Sequence, residues 1–163
     1  VQGNDSASLS YCAHELLSMG YYHFGLGSLA RVPDRTEVMR RISTVYNVVR
    51  CPLHLFGVGS PHFLRQINSD WVASVDSSLP AKAAACNELF YSRPFRRYGI
   101  MTPDGVSRSK LPANRCVAEP LLCNCPVCVQ DRSAVVRIGR RDHIRARAVH
   151  NYHHLRTTIE SLM

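Results

Sequence analysis

The amino-acid sequence predicts an α/β fold built on parallel strands, and three observations carry the prediction. Over the first 80 residues, stretches with apolar positions three or four apart alternate with short aromatic or β-branched runs. Those short runs end in "GLGSLA" (25–30), "GVGS" (57–60) and "VDSS" (75–78). In parallel α/β folds the carboxyl ends of strands are where chemistry gathers. From about residue 90 the alternation stops, and a basic, proline- and glycine-rich segment leads into three closely spaced cysteines. The reading therefore divides the chain at 1–90 and 91–163.

The elements follow in order. "SLSYCAHELLSMG" (8–20) has helical apolar spacing and ends at Gly20, a natural helix stop. "YYHFGLG" (21–27) reads as a strand. "DRTEVMRRISTVYNVV" (34–49) is a helix with Asp34 and Glu37 at capping-box spacing and Val38, Ile42, Val45 and Val49 on one face. "CPLHLFGVG" (51–59) is a second strand. In "SPHFLRQINSD" (60–70), Ser60 and Pro61 open a helix. "WVASVDS" (71–77) is a third strand, followed by the alanine-rich "LPAKAAAC". Three strands are too few to close an eight-stranded barrel. The chain therefore reads either as a piece of a larger barrel or as a small open sheet. Residues 91–116 read as a loop or hairpin insertion with "PDG" (103–105) as a turn. From Ile144 on, a helix is expected with Ile144, Ala148, Tyr152, Leu155, Ile159 and Leu162 as its apolar stripe.

The chain has 163 residues, 45% of them hydrophobic, which suits one folded domain of ordinary size. No apolar run reaches membrane-spanning length, so no membrane partner is expected. The start "VQGNDSASLS" lacks Met and any secretory pattern, and reads like the middle of a longer protein. A reducing, cytoplasmic setting with free thiols is expected, with Cys12, Cys51 and Cys86 as small core residues. Charge is uneven. Residues 1–92 hold seven basic and seven acidic residues, whereas 93–163 hold thirteen basic and five acidic. Nearly all that excess is arginine, whose fork matches phosphate geometry. A polyanion partner, most simply nucleic acid, fits this asymmetry, and so does a solvated basic surface.

"CNCPVC" places Cys123, Cys125 and Cys128 on one loop stiffened by Pro126. Three thiolates this close suit a tetrahedral metal such as zinc, with a fourth ligand from another element. His143, His150, His153 and His154 are the candidates. A redox Cys-x-x-Cys pair or buried thiols are the alternatives. A closed set of four protein ligands would be structural, pinning the basic segment and last helix to the sheet.

"VQG" (1–3), "GLGSLA", "HLFGVGSP" (54–61), "VDSSLP" (75–80), "CNCPVC" and "HN" (150–151) occur in that order. Together they resemble the C-terminal half of the tRNA-guanine transglycosylase family, across essentially the whole chain. The resemblance implies the second half of a (β/α)8 TIM barrel with an inserted zinc-binding subdomain. Zn would be held by Cys123, Cys125, Cys128 and His150, leaving His153 and His154 as helix-surface residues or backbone contacts. The implied reaction is exchange of a guanine in a nucleic acid, tRNA or DNA, for a 7-deazaguanine base. Asp76 would be the nucleophile forming a covalent glycosyl intermediate. Gln2 and the backbone at Gly27, Ser28 and Leu29 would read the base edge, and Phe56 would stack on it. By residue type alone, Asp76 also suits a helix cap and Phe56 also suits a core.

The sequence departs from the family in places. Bacterial members carry a Pro-Thr-Arg…Ala-Arg pattern after the nucleophile, where this chain has Pro80, Ala81, Lys82, Ala83, Ala84 and Ala85. Ser28 replaces a family glycine, and the 22 residues from Cys128 to His150 are fewer than in bacterial members. These changes point as readily to the branch that modifies DNA. The family's acid/base aspartate lies in the other half of the barrel, so residues 1–163 alone are expected to show no exchange. A homodimer is expected by analogy. The alternative is a non-catalytic, zinc-containing nucleic-acid-binding partner subunit of such an enzyme.

Overall fold

The structure, a computed structural model, describes residues 1–102 and 104–162. The chain forms two compact units, Val1–Ser77 and Ser78–Ser161.

In the first unit, α1 (Ser6–Ser18) is opened by Asp5 and Ser8, each side chain bonded to the other's backbone N–H. This reciprocal cap starts the helix earlier than apolar spacing alone suggests. Helix α2 (Arg35–Val49) buries Val38, Ile42, Val45 and Val49 as expected. Its cap differs from the expectation: Asp34 accepts the Thr36 N–H at 2.9 Å. Glu37 turns outward to Arg40 and Arg41, 2.6 and 2.7 Å away. Three strands, β1 (Phe24–Leu26), β2 (Leu53–Leu55) and β3 (Val72–Val75), form a parallel sheet in that order. Phe24, Leu26, Leu53 and Leu55 are buried, which leaves Gly25 and His54 on the opposite face. The expected helix over 60–70 shrinks to one turn, α3 (Pro61–Leu64), and Asn68 starts a separate short turn by accepting the Asp70 N–H at 3.0 Å.

The second unit opens with α4 (Leu79–Ala85), the alanine-rich stretch. Strands β4 (Glu88–Ser92) and β5 (Phe95–Ile100) make an antiparallel hairpin, and β6 (Cys116–Val117) adds in parallel to β5. Asp104 and Gly105 lie where a turn was expected, with Gly105 at φ +80° and its N–H on the Thr102 carbonyl. Pro103 of that "PDG" lies outside the described residues. Two helices complete the unit, α5 (Pro126–Asp131) and α6 (Arg141–Glu160), the latter packed on α4 and β4. The boundary expected at 90–91 would cut through β4. The observed one comes at Ser77–Ser78, because α4 packs with α6 and β4.

The described residues hold two three-stranded sheets and no closed barrel, in keeping with a strand number too small to close one. Two sequence expectations are corrected. The apolar stripe of α6 is not its buried face. Ile144 and Tyr152 are exposed, and the helix buries Arg147, His150, Asn151, His154, Leu155 and Thr158. A polar face is buried here because each of its groups has a partner to bond, as described below. Cys12 and Cys51 are only half-buried and Cys86, which ends α4, is exposed. No helix is long and apolar enough to cross a membrane among the described residues.

Candidate functional site

Parallel register lines up the carboxyl ends of the first sheet. Leu26 lies in register with Leu55, and Leu55 with Val75, so Gly27, Phe56 and Asp76 emerge side by side. The Phe56 N–H donates to the Leu26 carbonyl at 3.1 Å, which continues the ladder past its last paired residue. Val1 extends the row on the far side of β1. Its nitrogen donates to the Gly25 carbonyl at 2.6 Å, and its carbonyl accepts the Gly27 N–H at 3.0 Å. Gln2 is thereby placed against Gly27, where a Cβ would fall 3.3 Å from the Gln2 Nε2.

The residues expected to meet the base, Gln2, Gly27, Ser28, Leu29, Phe56 and Asp76, lie at or just past this edge, but not all in the expected role. The Phe56 ring is 52% exposed and lies down on Gly25, where a Cβ would come within 2.6 Å of it. It is no core residue. Ser28 is exposed and has φ +62°, the left-handed backbone that glycine adopts freely and serine adopts at a cost. Leu29 is 2% exposed: its side chain belongs to the core, and its carbonyl is taken by the Val32 N–H. Ser28, Phe56 and Gly57 line an open cleft of about 560 Å³ together with Asn4, Ala30, Arg31, Val32 and Arg41.

Asp76 follows β3, and its side chain is 56% exposed. Its Oδ1 accepts the Gly57 N–H at 2.7 Å. Gly57 is held at φ +72°, and a Cβ there would strike the Ala30 Cβ at 2.7 Å, so only glycine can present that N–H. Two residues were missed in the sequence. The His54 Nε2 stands 3.6 Å from the Asp76 Oδ1, and its Nδ1 is 2.8 Å from the Ser74 Oγ. The signal was available in "LHL", where alternation sends His54 to the face away from its two leucines.

The second unit holds a cluster of metal-binding type. The Sγ atoms of Cys123, Cys125 and Cys128 and a ring nitrogen of His150 all lie within 4.8 Å of one another. The His150 Nδ1 is 3.6, 3.3 and 3.5 Å from those three sulfurs in turn. His150 Nε2 is 3.0 Å from the Phe90 carbonyl, so the N–H sits on Nε2 and Nδ1 carries a lone pair. Burial, reinforced by His154, lowers the His150 pKa to about 3 and keeps that lone pair available. Burial also raises the Cys123 and Cys128 thiols, since crowded sulfurs resist ionising without a cation among them. Soft donors, tetrahedral number and a nitrogen held in the ligating tautomer all fit a metal ion. The sequence left four histidines open, and the structure selects His150. His143, at the start of α6, bonds the Ile138 carbonyl instead. His154, expected near the surface, is 6% exposed and lies 3.1 Å from the Ser92 Oγ.

Loop, helix and hairpin meet at this cluster. The Cys125 Sγ accepts the Cys128 N–H at 3.3 Å and so caps α5. Tyr91 packs edge-on against His150, and its hydroxyl accepts the Leu121 N–H at 3.0 Å. Asn151 accepts the Phe90 N–H at 2.8 Å and donates to the Glu88 and Pro80 carbonyls at 2.9 and 3.3 Å. His150 and Asn151 thus occupy both backbone groups of Phe90. The cluster pins the last helix to the antiparallel hairpin of its own unit, where the sequence had suggested the parallel sheet.

No curated protein gives a significant match to the sequence. Residues 1–162 match the family model described as queuine tRNA-ribosyltransferase, over both the strand-end cleft and the cysteine cluster. The chain belongs to the queuine tRNA-ribosyltransferase family.

Proposed function

We propose that the strand-end site takes part in base exchange on a nucleic acid, with Asp76 as nucleophile and a guanine replaced by a 7-deazaguanine. One observation carries the reading. An exposed carboxylate, held on one oxygen by the Gly57 N–H at 2.7 Å, stands at the same sheet edge as Gln2, Gly27 and Phe56. A carboxylate oxygen attacks C1′ of the nucleotide as the bond from C1′ to the guanine N9 breaks. The base takes that electron pair, and a proton from an acid that the family resemblance places outside residues 1–163. The incoming base then attacks C1′ through N9, gives its N9 proton back to the group that protonated guanine, and releases the carboxylate, so two inversions give retention. The target nucleotide has to leave its stack to enter a cleft of this kind. Phe56 offers a ring face to the base, and Gln2 offers its carboxamide. The backbone of Gly27 and Ser28 lies beside them, and Leu29 contributes its side chain to the wall beneath.

Family membership supports the barrel reading, in which β1 to β3 would belong to the second half of a TIM barrel. The cluster of Cys123, Cys125, Cys128 and His150 would hold zinc. Four protein ligands leave no open position, so the metal holds the fold together and takes no part in exchange. The arginines of the second unit supply phosphate contacts, among them Arg140 and Arg141, where the α6 N-terminus adds to the positive potential.

The test is labelled-guanine exchange by the native protein on bulk tRNA and on duplex DNA, with Asp76→Asn as control. Label in one polymer, lost with Asp76→Asn, supports the reading and names the substrate. No label in either, with salt-sensitive binding to both, favours a non-catalytic binding subunit.

A further inference from the structure

The proposed chemistry uses neither His54 nor Ser74, although both face the carboxylate from the neighbouring strand and from its own. β2 and β3 pair His54 directly with Ser74. Paired residues project to the same face of a sheet, so the imidazole and the hydroxyl meet at 2.8 Å. Phe56 closes the other side of the imidazole, edge-on at 4.4 Å between ring centres. The ring is thus held in one orientation by a hydroxyl and an aromatic edge, with Nε2 facing the Asp76 Oδ1 at 3.6 Å.

The proton on that ring follows from its neighbours. A carboxylate oxygen opposite Nε2 favours the tautomer with Nε2–H. Nδ1 is then the acceptor, and the Ser74 hydroxyl donates to it. Ser74, His54 and Asp76 form a directed chain, in which each donor points toward the carboxylate. The Gly57 N–H reaches the same oxygen from the loop after β2. Among the described residues, both contacts to the Asp76 carboxylate fall on Oδ1.

We propose that His54 is the positioning residue of the nucleophile. With Gly57 it fixes Oδ1 and so presents Oδ2 as the oxygen that bonds to C1′. The inference rests on Asp76 being the nucleophile. It adds what that reading lacks, a reason for one oxygen to attack in one direction. Hydrogen bonds confined to Oδ1 leave the Oδ2 lone pairs free for C1′. The 3.6 Å separation shortens to a hydrogen bond, directly or through one water, once substrate excludes solvent from the cleft. When the glycosyl ester forms on Oδ2, Oδ1 becomes its carbonyl oxygen. The same two donors then polarise it, which eases departure of the carboxylate in the second displacement.

The experiment is steady-state exchange of labelled guanine by the native protein, on whichever of bulk tRNA or duplex DNA takes label. The variants are His54→Ala, His54→Gln, Ser74→Ala and the double variant lacking both side chains. Loss of orientation should lower kcat about 100-fold in His54→Ala, with KM little changed. A glutamine amide nitrogen can take the place of Nε2, so His54→Gln should regain most of the rate. Ser74 acts through His54, so Ser74→Ala should fall between native and His54→Ala, and the double variant should be no worse than His54→Ala. The inference is overturned by native kcat in His54→Ala, by a change in KM alone, or by losses that multiply in the double variant. A glutamine variant as slow as alanine also overturns it. If His54→Ala melts early, folded His54→Gln and Ser74→Ala decide by the same criteria. Exchange that survives Asp76→Asn removes the nucleophile reading itself. Exchange lost in Asp76→Asn but intact in His54→Ala removes only the positioning role.

Discussion

The two units reach order by different physics. In Val1–Ser77 the buried residues are apolar, chiefly leucine, isoleucine, valine and phenylalanine, and they repeat with the periods of strand and helix. In Ser78–Ser161 the longest helix turns its polar face inward. Arg147 is 1% exposed, and its guanidinium donates to the Ala84 and Arg137 carbonyls at 3.0 and 2.6 Å and to the Asn87 Oδ1 at 3.0 Å. Burial alone pulls its pKa down. The first unit is held by burial that needs no particular partner. The second adds to its apolar clusters around Leu89 and Phe90 a set of polar partners that must be present one for one.

Removing a metal held, as proposed, by the cysteine cluster would be the sharpest way to break this contrast. Chelation, or Cys125→Ser, should unfold the second unit and spare the first. Structural zinc in small domains is worth about 10 kcal/mol. Hydrogen exchange should show lost protection across β4 and α6 and retained protection across β1 to β3. Equal loss in both would erase the distinction.

Ile42→Ala probes the other side. Ile42 is fully buried in α2, so the cavity should cost about 3 kcal/mol, read as a lower urea midpoint for the first unit. Asn151→Ala comes next, at about 2 kcal/mol, because it strands the Phe90 N–H and the Glu88 and Pro80 carbonyls. Its signature should be a weakened second unit with metal content intact, since His150 keeps its own bond to Phe90.

Glu37→Gln should have the smallest effect. Arg40 and Arg41 lower the Glu37 pKa to about 2 from its ordinary 4.5. A depressed carboxylate stabilises the fold above pH 4.5, and that contribution disappears as pH falls through 2. Native and variant melting temperatures should therefore differ slightly at neutral pH in low salt and converge near pH 2. Because Glu37 and Arg40 still reach solvent, added salt should also narrow the gap.

The same contrast decides what could be read in the sequence. Val38, Ile42, Val45 and Val49 were legible because apolar periodicity is the physical cause of their burial. The strand ends were legible through their glycines and Asp76. The face of α6 was not. An apolar stripe through Ile144 and Tyr152 was the natural choice, but hydrogen bonds to β4 from residues 60 to 63 positions away outweighed it. Such pairings leave no periodic trace. Cys123, Cys125 and Cys128 could be read as ligands because their spacing is local. Choosing His150 among four histidines required either the family or the fold. His54 escaped notice because its partners, Ser74 and Asp76, lie 20 and 22 residues further along the chain.

The bond from Gly57 to Asp76 bears on how this site tolerates change over generations. The donor is a main-chain amide, which every residue except proline possesses, so no exchange of side chains other than to proline can remove it chemically. It can be lost only through shape, because a Cβ at position 57 has nowhere to go beside Ala30. Random variation should leave two marks here. Position 57 should admit glycine alone. Position 30 should be its silent counterpart, free to shrink and barred from growing. Survival counts in a mutational library would reveal the grip on the carboxylate as a pair of linked size limits, at two residues that carry no reactive group.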